Sequence, residues 1–244
     1  MVHTAKMRAG DVRVDHALEF VRGALRGRRR ILEVGCGRGE LARRLAEQFE
    51  VTALDVRLPD PSPARGVTFV ERNFLDFTAA PFDAIVFCAS LHHITPLARA
   101  IGRASDLLAP SGLLVVDDFD LEAPDAETLR WYYDTQETLR AAGCFDADHI
   151  DPPQADPVAR WRAAHAHPDH DPLHTGAAMR VAVCDRFVIR RLEKSAYLYS
   201  YIAAHVPDDA RGAAVARHVL ATEQRRIEDN VFVPVGLRIV AERL

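Results

Sequence analysis

Glu33-Val34-Gly35-Cys36-Gly37-Arg38-Gly39 sets glycine at alternate positions directly after a carboxylate. Glycine there permits positive φ and lets a ligand approach the backbone closely. Asp55 follows 20 residues beyond Gly35, where a carboxylate at the end of the next strand can accept both hydroxyls of a ribose. The dinucleotide fingerprint is G-x-G-x-x-G, with a pyrophosphate resting on the helix N-terminus. Here the spacing is G-x-G-x-G, the sixth position is Glu40, and Glu33 precedes the loop. Two carboxylates near the helix start repel a pyrophosphate and suit a ligand carrying an ammonium and a sulfonium. The loop therefore favours S-adenosylmethionine over a nicotinamide dinucleotide. Taken singly, Glu33 could be a plain strand-end carboxylate and Asp55 a helix N-cap. Cys36 reads as a small packing residue rather than a nucleophile, because no base lies near it in sequence.

Strands alternating with helices must hold these residues. Val12 to Leu25 has helical spacing and ends at Gly27. Arg30 to Val34 reads as a buried strand running into the glycine loop, and Glu40 to Phe49 as a helix with Leu41, Leu45 and Phe49 on one stripe. Further strands are expected at Val51 to Leu54, Val67 to Val70, Phe82 to Cys88 and Leu113 to Asp117, with a helix over Ile101 to Leu108. Such alternation means a parallel sheet with crossovers on both faces, and the nearly continuous apolar strands agree. Beyond residue 120, helices are expected over Asp125 to Ala142, Leu173 to Cys184, Ala196 to His205 and Asp208 to Glu228. Two more strands are expected at Phe187 to Glu193 and Leu237 to Glu242, while Cys144 to Asp171 is rich in Pro, Asp and His. The whole of 1–244 is read as one domain: a cofactor-binding half over 30–119, and a helical lid from 120–178 and 196–228 over the carboxyl edge of the sheet.

With 244 residues, 48% hydrophobic and 27% charged, the chain has the composition of a globular domain with a substantial core. The net charge of −4 disfavours a nucleic-acid partner, which calls for a basic face. The dense basic run Arg26 to Arg30, broken only by Gly27, reads as a solvated helix end complementing the C-terminal dipole. Cys36, Cys88, Cys144 and Cys184 lie far apart, which argues against a disulfide framework and fits a reducing cytoplasm. Met1 to Asp15 lacks the apolar segment of a secretory signal. No run approaches the ~20 apolar residues that span a bilayer, so no membrane association is expected.

Ile31 to Leu45 resembles the first motif of class I S-adenosylmethionine-dependent methyltransferases, E/D-x-G-x-G-x-G. Other segments resemble that superfamily in order: Val51 to Asp55, Phe69 to Asp76, Phe82 to Val86 with Leu91-His92-His93-Ile94, and Leu108 to Val116. The nearest likeness is to its small-molecule branch with a His-His pair after the fourth strand. The resemblance implies an α/β, Rossmann-like, doubly wound sheet of seven strands, six parallel and the last antiparallel. It also implies roles. Gly35, Cys36, Gly37 and Gly39 belong to the cofactor loop facing the methionyl part and ribose, and Glu33 faces the ammonium. Asp55 binds the ribose diol and Val56 lies against the adenine. Asn73 meets the adenine amine, Phe74 the ring edge, and Ala89 sits beside the methionine moiety. Asn73 stands where the family more often has Asp, and Pro110-Ser111-Gly112 replaces the commoner Pro-Gly-Gly. An amide oxygen still accepts from an amine, so adenine binding is expected to be weaker rather than absent.

Methyl transfer from a sulfonium is an in-line displacement, served largely by holding nucleophile, methyl and sulfur collinear. A hydroxyl or amine acceptor also calls for a base, and imidazole suits neutral pH. His174, opening a lid helix, is the first candidate and His93 the second; alternatively, His92 or His93 caps the helix beginning near Pro96. Trp131, Tyr132, Tyr133 and the alternating Tyr197, Tyr199 and Tyr201 read as packing residues, although a planar acceptor would need such a lining. His165-Ala166-His167-Pro168-Asp169-His170-Asp171 could offer metal ligands, but Pro168 breaks helical pairing and no metal is expected. The leading expectation is methylation of a small-molecule acceptor, O-methylation ahead of N- or C-methylation. An RNA-modifying methyltransferase, a non-catalytic cofactor sensor and, last, a nicotinamide-dependent oxidoreductase remain as rivals.

Overall fold

Short segments dominated by apolar residues become the central strands. The computed structural model describes residues 7–59, 63–146, 156–166 and 172–243. Its strands are β1 (Arg30–Val34), β2 (Glu50–Asp55), β3 (Val67–Glu71), β4 (Phe82–Cys88), β5 (Leu108–Phe119), β6 (Phe187–Ser195) and β7 (Gly236–Arg243). They form one seven-stranded sheet in the order β3-β2-β1-β4-β5-β7-β6, mixed, with β7 antiparallel. β1 lies parallel to β2 and β4, with Val34 opposite Leu54 on one side and Phe87 on the other. The helices are α1 (Ala9–Ala24), α2 (Glu40–Leu45), α3 (Leu97–Leu107), α4 (Ala126–Ala141), α5 (Pro157–Ala164), α6 (Gly176–Cys184), α7 (Leu198–His205) and α8 (Ala210–Glu228).

These residues fall into two compact units, the first holding Ala17–Asp120, Leu173–Glu193 and Leu237–Leu244. Its core joins Leu32, Val34, Ile85, Phe87, Leu114 and Val116 of the strands to Ile101 and Leu107 of α3 and Met179 and Val183 of α6. Burying a side chain of this size stabilises the fold by about 1.5–3 kcal/mol.

α3 begins at Leu97, four residues before the expected Ile101, and three further local expectations change. β5 begins five residues before the expected Leu113 because Ala109 to Gly112 bulge out of register between the pairs Phe82–Leu108 and Ala84–Leu113. The last residues of the expected second helix turn instead, with the amides of Gln48 and Phe49 both on the Leu45 carbonyl. The basic run is not a helix end, since α1 stops at Ala24. Arg28 instead donates to Ser111 O at 3.0 Å, Arg29 pairs with Glu50 at 2.8 Å, and Arg30 reaches the carbonyls of Ala80 and Pro81. Asp83 accepts the backbone amides of Arg29 and Arg30, each at 2.9 Å, and these hold its carboxyl below the ordinary range.

The second unit holds Met1–His16, Leu121–Pro172 and Lys194–Gly236, and its described residues are mainly helical. It contains a helix the sequence reading passed over. In α5 the Asp156 side chain accepts from Val158 N and Ala159 N, and Pro157 opens the first turn. Both are helix-start signals, obscured by a segment dense in Pro and Asp. α5 delivers Trp161, 1% exposed, whose Nε1 donates to Leu121 O at 2.9 Å. Tyr132 and Tyr201 meet that indole edge-on at 6.0 and 5.5 Å between ring centroids. Tyr132, Tyr133 and Tyr199 are buried, in keeping with the packing role expected of these aromatics.

Candidate functional site

In a sheet of this order the chain turns opposite ways on leaving β1 and β4, so the carboxyl ends of those two strands leave a crevice between them. Ser90, just past β4, closes its floor by donating from Oγ to Val34 O at 2.6 Å. A cavity of about 420 Å³ opens here, lined by Gly35 after β1, Asp55 and Val56 at the end of β2, and Arg72, Asn73 and Phe74 after β3. Ala89, Ser90, His93, Ile94 and Thr95 complete its wall.

Gly35 leaves β1 with φ 75°, and a Cβ there would lie 2.4 Å from Ser90 Cβ. Both the left-handed backbone and the close approach demand glycine. Gly35→Ala is expected to cost about 2–3 kcal/mol of stability, read as a lower melting temperature; a melt unchanged from the parent would refute the tight-turn argument. Past that turn, Gly37 N donates to Asp55 Oδ2 at 2.8 Å, and Arg57 N donates to Oδ1 at 3.2 Å. Asp55 is thus no helix cap: it ties the glycine loop to the end of β2. Gly39 is the N-cap of α2. Cys36 is 7% exposed, and burial, with the nearby charges of Glu33 and Asp55, pushes its thiol up to about 12. The thiolate that nucleophilic chemistry needs is therefore disfavoured.

Glu33 sits on β1 beneath the loop, 3% exposed, and its Oε2 has no hydrogen-bond partner. Burial first, and the charge of Asp55 second, push its carboxyl up to about 8, while the Ala42 backbone amide pulls it down. A carboxyl raised in the folded state favours folding most below its ordinary pKa, and that contribution is lost as pH rises through about 8. Glu33→Gln removes this dependence. Its melting temperature relative to wild type is therefore expected to rise by several degrees between about pH 6 and about pH 8.5. A difference independent of pH would show that Glu33 does not titrate in this range.

Asn73 caps the short 3₁₀ turn Phe74–Asp76, its Oδ1 accepting from Leu75 N at 2.9 Å. Phe74 is buried against Phe87, whereas Val56 stands 68% exposed on the cavity wall. Ala89 takes a left-handed φ of 50° and donates its amide to Asp117 O at 2.8 Å. Such a conformation in a non-glycine residue is costly and concentrates at functional sites. The cavity therefore offers a carboxylate, an apolar patch and an amide cap. With the orphaned Glu33 oxygen beneath the loop, these suit the diol, adenine and ammonium of S-adenosylmethionine.

Of the two histidines expected to act as base, His93 lines the cavity and His174 does not. His174 donates its backbone amide to His92 O at 2.9 Å, and its Nε2 lies 3.1 Å from Ile94 O and 3.3 Å from Thr95 Oγ1. Neither His92 nor His93 caps α3, whose N-cap is Pro96. His92 is buried instead, its Nδ1 2.6 Å from Asp118 Oδ1, and its ring lies 4.0 Å from that of His93. Asp118, fully buried at the end of β5, also accepts the amide of Phe119 at 2.9 Å. Sequence reading missed Asp118, Ser90 and Arg72. The one available signal was the acidic pair Asp117-Asp118 closing an apolar strand. Asp117 is neutralised by Arg238, whose Nε donates to it at 2.9 Å, yet burial still raises its pKa.

Residues 167–171 of the histidine-rich run lie outside the described residues. Among the described residues no group of three or more His, Cys, Asp or Glu could hold a metal ion. His165, described, bonds within its own unit to Trp161 O at 2.8 Å and Tyr201 Oη at 3.0 Å. Among the described residues no helix is long and apolar enough to cross a membrane.

This sheet order, with a glycine loop after β1 and an acid after β2, defines the class of Rossmann-like methyltransferases. A methyltransferase-domain family model matches residues 6–169, and the chain belongs to that family, within the class I S-adenosylmethionine-dependent methyltransferases. An uncharacterized methyltransferase of Mycobacterium tuberculosis is 36% identical over 98 residues, 36% of this chain and 50% of that protein. The 27-O-demethylrifamycin SV methyltransferase of Amycolatopsis mediterranei is 29% identical over 127 residues, 43% of this chain and 46% of that one. The chain thus spans about half the length of the curated relatives it matches. Among solved structures, an S-adenosylmethionine-dependent methyltransferase from Mesorhizobium loti superposes with a TM-score of 0.56 at 19% identity. That match covers 93% of this chain and 96% of the other, and shows a shared fold.

Proposed function

We propose that the protein transfers a methyl group from S-adenosylmethionine to an oxygen of a small-molecule acceptor, with His93 taking the acceptor's proton. One observation carries this reading. A single cavity is lined on one side by Asp55, Val56, Asn73 and Phe74 and on the other by Ala89 and His93, so cofactor-binding groups and an imidazole share one space.

Asp55 accepts the ribose hydroxyls with the lone pairs that Gly37 N and Arg57 N leave available. Val56 lies against the adenine, Phe74 meets its ring edge, and Asn73 accepts from its amine. Glu33 answers the ammonium, and Cys36 and Gly37 present backbone to the methionyl part. When bound, S-adenosylmethionine supplies an electrophilic methyl on a sulfonium. His93 is backed by His92, whose ring Asp118 orients through Nδ1, as a carboxylate commonly fixes an imidazole tautomer. The relative named for 27-O-demethylrifamycin SV supports a small-molecule acceptor, and the net charge of −4 speaks against a nucleic acid. A lid over residues 120–178 and 196–228 that governs acceptor choice belongs to the same proposal.

Calorimetric titration with S-adenosylmethionine, S-adenosylhomocysteine and NAD comes first, followed by a screen of phenolic, alcoholic and amine acceptors. Micromolar binding of the first two, none of NAD, and transfer reduced about 100-fold by His93→Ala are expected. Binding of the cofactor without turnover on any acceptor would replace this reading with a sensor. Turnover undiminished in His93→Ala would remove His93 from the chemistry.

A further inference from the structure

We propose that His174 is a positioning residue: it clamps the turn that carries His93 from both sides and thereby fixes where that imidazole stands in the cavity. This rests on the methyl-transfer reading above for its purpose, but the clamp itself is defined by geometry within one unit.

The turn Leu91–His93 is a single 3₁₀ turn. Its internal bonds are His93 N to Ser90 O and Ile94 N to Leu91 O, both 3.1 Å. A one-turn 3₁₀ element has poor hydrogen-bond geometry and little rigidity of its own. His92 is held regardless, because its ring is buried against Asp118 and Phe119. His93 is exposed and its ring meets that of His92 at 4.0 Å, while the backbone on either side sets the point from which its side chain enters the cavity. The carbonyls of those two flanking residues both face His174. His92 O accepts its backbone amide at 2.9 Å, and Ile94 O accepts from its Nε2 at 3.1 Å.

A carbonyl only accepts, so Nε2 carries the proton and donates, and the lone pair lies on Nδ1. The nitrogen that reaches toward the turn is committed to the backbone, and of the two histidines it is His93 that lines the cavity. The anchor behind His174 is firm. Thr175 Oγ1 caps α6 by accepting from Ala178 N at 3.1 Å, and Gly176 N donates to Asp120 Oδ1 at 3.0 Å. A Cβ on Gly176 would lie 2.5 Å from Asp120 Cγ, so the segment sits directly on the end of β5. Met179 and Val183 then root α6 in the sheet core. Through His174 the turn bearing His93 is tied to the same core that positions the cofactor loop.

The test is acceptor-free and uses the full chain, alone and with S-adenosylhomocysteine, in wild type, His174→Ala and His174→Gln. A glutamine amide can donate where Nε2 does but cannot titrate. Two readouts are followed: hydrogen exchange at the His93 and Ile94 amides, and the imidazole NMR lines of His93. In His174→Ala those two amides are expected to exchange at least ~10-fold faster while amides of β1 and β4 stay protected. The His93 lines should broaden in this variant. His174→Gln should return both readouts close to wild type. Unchanged exchange in His174→Ala would overturn the clamp, as would glutamine behaving like alanine. Faster exchange spread through β1 and β4 would also overturn it, because His174 would then serve general stability. Failure of the methyl-transfer reading shows separately, as wild-type protein that does not bind S-adenosylhomocysteine or as His93→Ala that loses no transfer.

Discussion

Asp55→Ala is expected to weaken S-adenosylmethionine binding by about 10- to 100-fold in calorimetry on the folded variant, as loss of a charged, two-oxygen contact worth ~1.5–3 kcal/mol implies. The carboxylate has two duties. Oδ2 takes Gly37 N at 2.8 Å and so shapes the loop, while the proposed diol contact uses what remains. Asp55→Asn keeps an oxygen for Gly37 N but gives up the charge, and should fall between wild type and alanine. A coupled effect sharpens the test. The charge of Asp55 is the second cause, after burial, of the raised Glu33 pKa, so Glu33 should titrate lower in Asp55→Ala, visible in its carboxyl carbon shift. Wild-type affinity in a folded alanine variant would sink the ribose assignment.

Glu223→Ala should lower stability by about 3–5 kcal/mol, the usual cost of stripping the partner from buried polar groups. Its carboxylate accepts the backbone amides of Tyr197, Leu198 and Tyr199 at 2.8, 3.0 and 2.8 Å. These open α7, whose N-cap residue Tyr197 supplies no side-chain bond, so a residue from α8 does the capping. Burial pushes the Glu223 carboxyl up to about 7, against the pull of those three amides. With the folded-state value raised, its contribution is full at low pH and is lost as pH rises through about 7. The gap between wild type and Glu223→Ala in urea unfolding should therefore be widest near pH 5 and narrow by about pH 8. A loss under about 1 kcal/mol would mean that water replaces the carboxylate at little cost.

Glu223 also marks the limit of what can be read from the chain. It lies 25 residues from Leu198, and nothing local distinguishes it from the neighbouring charges of α8. Periodicity and punctuation are local properties, so they survive in one dimension. The largely apolar run Phe82 to Cys88 announced β4 to the residue, and the alternate glycines after Val34 announced the tight turn that leaves β1. Even α5 had its start signals in Asp156 and Pro157, hidden only by the composition around them. In the same way Glu33, Asp55, Asn73 and His93 could be named as candidates in advance, because the first two lie in the last residues of marked strands and the other two just beyond such strands.

What tertiary structure alone decided is which of those residues meet, and in what state. Ser90 against Val34 O, Asp118 against His92 Nδ1 and Arg238 against Asp117 join residues 56, 26 and 121 positions apart. Strand order, not spacing, brings them together. From the sequence His174 is the first candidate base, opening a helix, yet folding engages its Nε2 with the Ile94 carbonyl. Burial beside Asp55 likewise moves Glu33 out of the ordinary carboxylate range. The physical reason is the same throughout: hydrophobic pattern and turn chemistry act between near neighbours, whereas desolvation and hydrogen-bond partnership depend on whatever the completed sheet places alongside.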